Sequence, residues 1–269
     1  MSDSRFLAAL QERVILGDGA YGTEFLRRGG LPGRPFDELN LTRPHLVLQL
    51  HQEYLAAGSE LTKTNTFLAN GFRLKPHQLG GQVRDINKAG VQLAKEAARG
   101  GLVAGTIGPL TECPRDERAA YYREQCEVLV DGGCDVLVLE TFTEVSDLLA
   151  AMEIAKGSGL PVVCQLAQKL ERGFDRLVAM APKWGIDVVG TNCLDAEQTQ
   201  FFIERTAKDA KIPMSAFPSA GLPGREQAPW QFAELLESLV AAGVRLVGGC
   251  CGAGPEHIRA AAKQLGRGR

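Results

Sequence analysis

Short apolar runs alternate with longer amphipathic stretches along almost the whole chain. The runs are rich in β-branched residues and end in polar or glycine-rich turns, which is typical of strands followed by helices. They are apolar throughout, as expected for parallel strands that are buried on both faces. Eight runs fit this description: VILGDG (14–19), ELTKTNTF (60–67), LVAGTIGP (102–109), DVLVLETF (135–142), PVVCQLA (161–167), DVVGTNC (187–193), PMSAFP (213–218) and VRLVGGCC (244–251).

The stretches between the runs predict helices, and the clearest four, 44–58, 119–133, 145–159 and 230–243, each end in Gly, as helix C-termini do. Eight strand–helix units in 269 residues predict an α/β fold, a (β/α)8 TIM barrel that forms a single domain over the whole chain, 1–269. An open, doubly wound sheet is the alternative. The first unit is the least regular, because a long connection separates its strand from a clear helix.

Composition and charge narrow the class of protein. Hydrophobic residues make up 45% of the chain and charged residues 23%, which is ordinary globular composition. The net charge is −2 and the basic residues are scattered, so neither nucleic acid nor an anionic membrane is expected as a partner. The N-terminus lacks a signal-peptide pattern and no apolar stretch reaches the length of a membrane span, which predicts a cytoplasmic protein.

Polar side chains follow the predicted strands at their carboxyl ends. In a parallel barrel these ends meet at one face, which carries the active site. We therefore expect side chains from distant parts of the sequence to converge there. They are Asp18, Asn65, Glu140, Asn192, Cys193, Cys250 and Cys251.

Three of these side chains are thiols. Three thiolates with one open position suit a catalytic zinc ion, whereas a fourth protein ligand would make the site structural. Glycines around the adjacent pair at 250 and 251 free the backbone, so both thiols can face one ion. We therefore predict Zn²⁺ bound by Cys193, Cys250 and Cys251. A vicinal disulfide between Cys250 and Cys251 and a glycine-rich phosphate site without a role for the thiols are the alternatives.

No catalytic or metal-binding role is predicted for the other cysteines or for the histidines. Seven cysteines is an odd number without a disulfide framework, which predicts reduced thiols. Buried apolar packing accounts for Cys126, Cys134 and Cys164, and Cys113 lies on the functional face. Solvated or helix-end positions suffice for His45, His51, His77 and His257.

Asp18 and Glu140 each end an apolar strand. Burying an unpaired carboxylate costs several kcal/mol, so each needs a cationic or hydrogen-bonding partner. The ammonium group of a ligand is one candidate. Backbone N–H groups or Lys63, on the second predicted strand, are the alternatives.

These motifs together resemble the zinc-dependent homocysteine S-methyltransferases. That family includes the homocysteine-binding module of cobalamin-dependent methionine synthase, betaine–homocysteine methyltransferase and enzymes that use S-methylmethionine. The resemblance covers residues 13–265, and the pairing of NC with GGCCG is its most specific part. The matching segments, in order, are GDGAYGTEF, TNTF, GTIGP, LETF, GTNC, AGLP and GGCCGAGPEHI.

The resemblance implies a barrel in which the three cysteines hold zinc and the bound homocysteine thiol is methylated to give methionine. Asp18 and Glu140 match positions that bind the amino acid part of homocysteine, with Glu140 at its ammonium group. Backbone N–H groups at Gly22 and Thr23 are candidates for its carboxylate. Asn65 and Asn192 complete the predicted substrate-binding set.

The sequence says less about the methyl donor than about the metal site and the acceptor. The segments after strands three and seven resemble the methionine synthase module, and 269 residues leave no room for folate or cobalamin domains. We therefore expect a methyl-corrinoid donor, carried by a separate corrinoid protein. A sulfonium donor such as S-methylmethionine is the alternative.

Two departures from the family pattern keep other functions open. Ser219 replaces the usual Asn before AGLP, and the segment after strand five is short and lacks a Ser/Thr-rich end. A demethylase that uses another thiol acceptor is therefore a second hypothesis. A non-catalytic subunit that binds zinc or thiols is a third.

Overall fold

The computed structural model describes residues 4–167, 171–222 and 224–267. Eight parallel strands form one sheet in the order β1-β8-β7-β6-β5-β4-β3-β2, and a bridge between Gly17 and Leu61 joins its two edges. The predicted (β/α)8 barrel is thereby confirmed. The strands are β1 (Ile15–Leu16), β2 (Leu61–Lys63), β3 (Leu102–Ile107), β4 (Val136–Phe142), β5 (Val162–Leu166), β6 (Val188–Asn192), β7 (Met214–Phe217) and β8 (Leu246–Val247).

Helices follow the strands and surround the sheet. The predicted helices at 44–58, 119–133, 145–159 and 230–243 are confirmed, and the Gly that ends each has a positive φ. The helices are α1 (Arg5–Glu12), α2 (Gly22–Arg27), α3 (Leu39–Thr42), α4 (Pro44–Ala56), α5 (Gly71–Leu74), α6 (Val83–Ala98), α7 (Arg115–Asp131), α8 (Val145–Lys156), α9 (Glu171–Trp184), α10 (Ala196–Thr206), α11 (Pro229–Ala241) and α12 (Pro255–Gln264).

Apolar side chains pack in two layers. The larger layer lies between the sheet and the outer helices. The smaller one combines strand side chains such as Val136 and Val138 with Phe6 and Leu10 of α1. Alternate strand residues face inward, so this second layer fills the barrel interior and α1 closes one end of it. The opposite end, where the strands finish, is left for the site.

The first and last strands are shorter than their apolar runs because the chain leaves the sheet at a glycine. A Cβ atom at Gly17 would lie 2.9 Å from the Phe217 ring, and one at Gly248 only 2.4 Å from it. The backbone at these positions therefore lies flat against the ring and then turns towards the mouth of the barrel. Among the described residues, no helix has the length and apolarity that crossing a bilayer requires.

Candidate metal centre and substrate pocket

Three sulfur atoms meet at the mouth of the barrel. The Sγ atoms of Cys193, Cys250 and Cys251 all lie within 4.8 Å of one another, and those of Cys193 and Cys251 are 3.4 Å apart. Cys193 directly follows β6, and the other two lie just beyond β8. We call these three side chains the sulfur cluster. All three are partly exposed and free, so the alternative of a vicinal disulfide is not what the structure contains.

The backbone around the sulfur cluster is held in uncommon conformations. Cys193 has a φ of 59° and Gly252 a φ of 78°, which turn the chain sharply at both strand ends. The amide group of Gly252 donates to the Thr23 hydroxyl at 3.2 Å, and the Ser219 hydroxyl lies 3.2 Å from the Cys251 carbonyl. Ser219, a departure from the family pattern, therefore helps to fix the cysteine loop.

The sulfur cluster has the dimensions of a metal site. A tetrahedral ion with Zn–S bonds of about 2.3 Å keeps its sulfur ligands about 3.8 Å apart, close to the separations seen here. Hydrogen bonds with Cys193 and Cys250 lower the pKa of the Cys251 thiol, whereas hydrogen bonds with Cys193 and Cys251 raise the pKa of Cys250. The three thiols therefore influence one another's protonation. Three thiol ligands and no fourth cysteine or histidine within reach among the described residues leave one position open.

A second group of side chains lies at the ends of β1, β2 and β4. The Lys63 Nζ atom is 3.3 Å from Glu140 Oε2 and 3.8 Å from Asp18 Oδ1. Asp18 Oδ2 accepts hydrogen bonds from the Tyr21 hydroxyl at 2.6 Å and from the Lys63 amide at 2.7 Å. We call Asp18, Lys63 and Glu140 the charged cluster. Lys63, the alternative named from the sequence, is thus the cationic partner of both carboxylates.

Burial and pairing act against each other in the charged cluster. Burial raises the pKa of Asp18 to about 6, although the Lys63 ammonium and the Tyr21 hydroxyl limit this rise. Burial alone would lower the pKa of Lys63, but the carboxylates of Glu140 and Asp18 outweigh it and raise that pKa. Lys63 is therefore a cation at neutral pH, held between two acids in a site with little water.

The two clusters border one cavity of about 220 Å³. Of the predicted substrate-binding residues, Gly22, Thr23, Asn65 and Glu140 line it together with the three cysteines. Asn65 also fixes the long first connection, because its amide donates to the Phe36 carbonyl at 2.9 Å and to Asn40 at 3.0 Å.

Asp18 and Asn192 lie behind the cavity wall, and both are fully buried. The Asn192 side chain accepts a hydrogen bond from the Thr141 amide and donates one to its hydroxyl, both at 2.8 Å. This clamp holds Thr141 at a φ of 66°. The two residues thus support the wall of the pocket, and direct contact with a substrate stays a prediction for each.

The outcome differs among the remaining histidines and cysteines. His51 is wholly buried in α4, 2.9 Å from the Tyr21 hydroxyl, so its predicted solvated position is wrong. Sequence periodicity gives no sign of this, because α4 has only a weak apolar stripe. The helix-end position of His257 is confirmed, since its Nδ1 lies 3.2 Å from the Gly254 amide at the start of α12. The three predicted packing cysteines, Cys126, Cys134 and Cys164, are all buried. Cys113, predicted on the functional face, is also buried and is not among the residues that line the cavity.

Comparison with known proteins decides the family. The family model described as homocysteine S-methyltransferase matches residues 15–265, nearly the whole chain. The chain belongs to the homocysteine S-methyltransferase family. The geometry of the sulfur cluster makes Cys193, Cys250 and Cys251 candidate metal ligands in this member of the family.

Relatives within the family differ in size. The chain is 31% identical to methionine synthase of Mycobacterium leprae over 98% of its own length, and 28% identical to betaine–homocysteine S-methyltransferase 1 of Danio rerio over 94%. It spans about a quarter of the methionine synthase and 73% of the betaine enzyme. The metallated form of the homocysteine methyltransferase MmuM from Escherichia coli superposes with a TM-score of 0.84 at 25% identity, covering 96% of this chain and 99% of that one.

Proposed function

We propose that this homocysteine S-methyltransferase is a zinc enzyme that methylates the thiol of homocysteine to form methionine. The observation that carries this proposal is the sulfur cluster, with its three sulfurs within 4.8 Å and on the wall of a cavity of about 220 Å³. Such a donor set suits zinc with an open fourth position. Zinc bound there would hold the acceptor thiol as a thiolate at neutral pH, when a free thiol is almost wholly protonated.

The chain itself positions the reactants. The turns at Cys193 and Gly252 fix the sulfur cluster, and Glu140 and Lys63 place charge on the wall of the same cavity. The acceptor sulfur then attacks the methyl carbon of the donor, the bond from that carbon to the donor breaks, and the donor leaves with the electron pair. A thiol that gave up its proton to solvent on binding zinc would need no general base in this step.

We propose a methyl-corrinoid as the donor, on a separate protein. The support is the similarity to methionine synthases, which match 98% of this chain in Mycobacterium leprae. Because the chain spans only about a quarter of that relative, a corrinoid would have to come from another polypeptide or domain.

A sulfonium donor is the second candidate, and a specific feature of the pocket favours it. Two aromatic side chains, Tyr21 and Phe67, line the same cavity as the sulfur cluster. Aromatic faces attract cations, and a sulfonium carries its charge next to the methyl group that is transferred. Neither residue was singled out from the sequence, although both lie within the motifs GDGAYGTEF and TNTF.

A donor panel tests the proposal. The zinc-loaded protein is incubated with homocysteine and, in turn, methylcobalamin, S-methylmethionine, S-adenosylmethionine, betaine and methylfolate, and methionine is measured by mass spectrometry. We expect one zinc per chain by metal analysis and methionine from methylcobalamin. Methionine from S-methylmethionine alone would select the sulfonium donor.

The variant Cys251→Ala supplies the decisive control. We expect it to lose both the zinc and the activity. A wild-type protein without stoichiometric zinc, or a variant that keeps metal and activity, would contradict the proposal. If no donor gives methionine, another thiol acceptor or a non-catalytic binding role takes its place.

A further inference from the structure

Lys63 takes no part in the making and breaking of bonds described above, although its side chain lies in the wall of the pocket. Its side chain is only 5% exposed, and its Nζ atom lies 5.2 Å from the centre of the Phe217 ring and 5.9 Å from that of Tyr21. With Glu140 and Asp18 on its other sides, the ammonium group is fixed in place. A buried, well-held cation next to a substrate cavity needs an explanation.

The consequence concerns the ammonium group of an amino acid substrate. Among the described residues that line the cavity, Glu140 is the one carboxylate. Its Oε2 atom already pairs with Lys63 at 3.3 Å, and Asp18 is fully buried on the far side of that lysine. A substrate ammonium would have to share Glu140 with Lys63. Two ammonium groups that pair with the same carboxylate lie close together and repel each other.

A substrate carboxylate, in contrast to a substrate ammonium, would be attracted by Lys63. Lys63 is the one cationic side chain among the described residues of the cavity lining. Its ammonium group has three N–H donors, and Glu140 is the single hydrogen-bond partner that the described residues supply to them, since Asp18 Oδ1 is 3.8 Å away. An anionic group in the cavity therefore meets a charge and a donor that are already in place.

We propose that Lys63 determines the acceptor selectivity of this enzyme, because it takes the place that a substrate ammonium would occupy between the two carboxylates. The acceptor class is then the short thiol acids, with or without an amino group, and homocysteine is one member of it. The inference rests on the proposed function in taking a thiol as the acceptor.

Three thiols of equal chain length separate the contributions of the substrate carboxylate and the substrate ammonium group to binding. Homocysteine carries both charged groups, 4-mercaptobutanoate keeps only the carboxylate, and 3-aminopropane-1-thiol keeps only the ammonium. Their dissociation constants are measured by calorimetry on the zinc-loaded full chain, so that no methyl donor is involved. We expect 4-mercaptobutanoate to bind within about threefold of homocysteine, and 3-aminopropane-1-thiol at least about tenfold more weakly.

The variant Lys63→Met tests the residue itself. Without the lysine, the two carboxylates are free for a ligand ammonium, so the preference for 4-mercaptobutanoate over 3-aminopropane-1-thiol falls by at least about tenfold. Lys88→Met, at an exposed position of α6, is the matched control and leaves the ranking unchanged.

Wild-type protein that binds homocysteine about a hundredfold more tightly than 4-mercaptobutanoate would overturn the proposal. So would a Lys63→Met variant with the wild-type ranking. If that variant does not fold, the wild-type ranking decides alone. Failure of every donor to methylate any of the three thiols would refute the proposed function, while the binding ranking would still test the role of Lys63.

Discussion

The sulfur cluster and the charged cluster border the same cavity, but they are completed in different ways. The sulfurs of Cys193, Cys250 and Cys251 are partly exposed and have mainly one another as partners. In the charged cluster, Lys63 pairs with both carboxylates inside the protein. The sulfur cluster is therefore built to receive something from outside, whereas the charged cluster already holds its own cation between its two carboxylates.

This difference predicts which changes affect function and which affect folding. A ligand-binding side chain that has no strong partner inside the protein contributes little to the stability of the free protein. A group that is buried and paired contributes strongly once its partner is removed. Substitutions in the two clusters should therefore separate activity from stability.

The largest effect is expected at Cys193. The variant Cys193→Ala removes one thiolate, so we expect metal content to fall well below one ion per chain and kcat/KM for methionine formation to fall at least about 10³-fold, about 4 kcal/mol of transition-state stabilisation. Because this side chain is partly exposed, the free energy of unfolding of the metal-free protein should change by less than about 1 kcal/mol. Metal analysis, steady-state kinetics and urea denaturation measure the three quantities.

Cys126→Ala is the control for this experiment, since Cys126 is buried on α7 away from the pocket. It should keep its metal and its activity and lose some stability. Full metal retention by Cys193→Ala would show that the sulfur cluster is not the metal site.

The sequence predicts the sulfur cluster well because each cysteine lies at a strand end. Eight apolar runs determine the barrel, and the barrel brings Cys193 close to Cys250 and Cys251 without any further information. The same logic places Glu140 and Asn65 at the mouth of the barrel.

The charged cluster is harder to predict because its pairing depends on side-chain packing. Lys63 is the signal that was present: a cation inside a buried parallel strand needs anionic partners. The hydrogen bond from Tyr21 to Asp18 and the burial of His51 depend on how Tyr21, just before α2, packs against α4. The position of strand ends does not predict such contacts. Residues 168–170, part of the short segment after strand five that departs from the family pattern, lie outside the described residues.

The next largest effect is expected at Lys63, and on stability. Lys63→Met leaves two buried carboxylates facing each other, so we expect the free energy of unfolding to fall by about 3 kcal/mol at pH 7. Adding Glu140→Gln removes one of those charges and should recover at least about 1 kcal/mol. Urea denaturation of both variants measures this, and a Lys63→Met variant as stable as wild type would show that the charged cluster does not stabilise the fold.

A smaller effect is expected from pH, through His51 beside the charged cluster. Burial lowers the pKa of His51 to about 3, whereas the unfolded chain binds the proton near pH 6.5. Its contribution to stability is therefore complete above pH 6.5 and is lost as the pH falls towards 3. Between pH 7 and pH 5 the loss from this residue is about 2 kcal/mol.

The variant His51→Gln isolates the contribution of His51 to the pH dependence of stability. Asp18, whose pKa burial raises to about 6, gains stability as the pH falls and so works against His51 in the wild-type protein. Urea denaturation at both pH values should show that wild type loses about 2 kcal/mol more than the variant. Equal losses would mean that His51 is not buried in its neutral form.

The smallest effect is expected at Thr141, which joins the two clusters: it follows Glu140 and is held by Asn192, the neighbour of Cys193. Its φ of 66° is unfavourable for a side chain with a branched Cβ. Thr141→Ala and Thr141→Gly both remove the hydroxyl and differ only in how well they accept that backbone. We expect the Gly variant to be more stable than the Ala variant by about 1 kcal/mol.

The same two substitutions at Thr62 of β2, which is not among the positive-φ residues, should give the opposite order, since Gly weakens a regular strand. If Ala is preferred at both positions, the turn after Glu140 is not strained, and the two clusters are joined by an ordinary strand end.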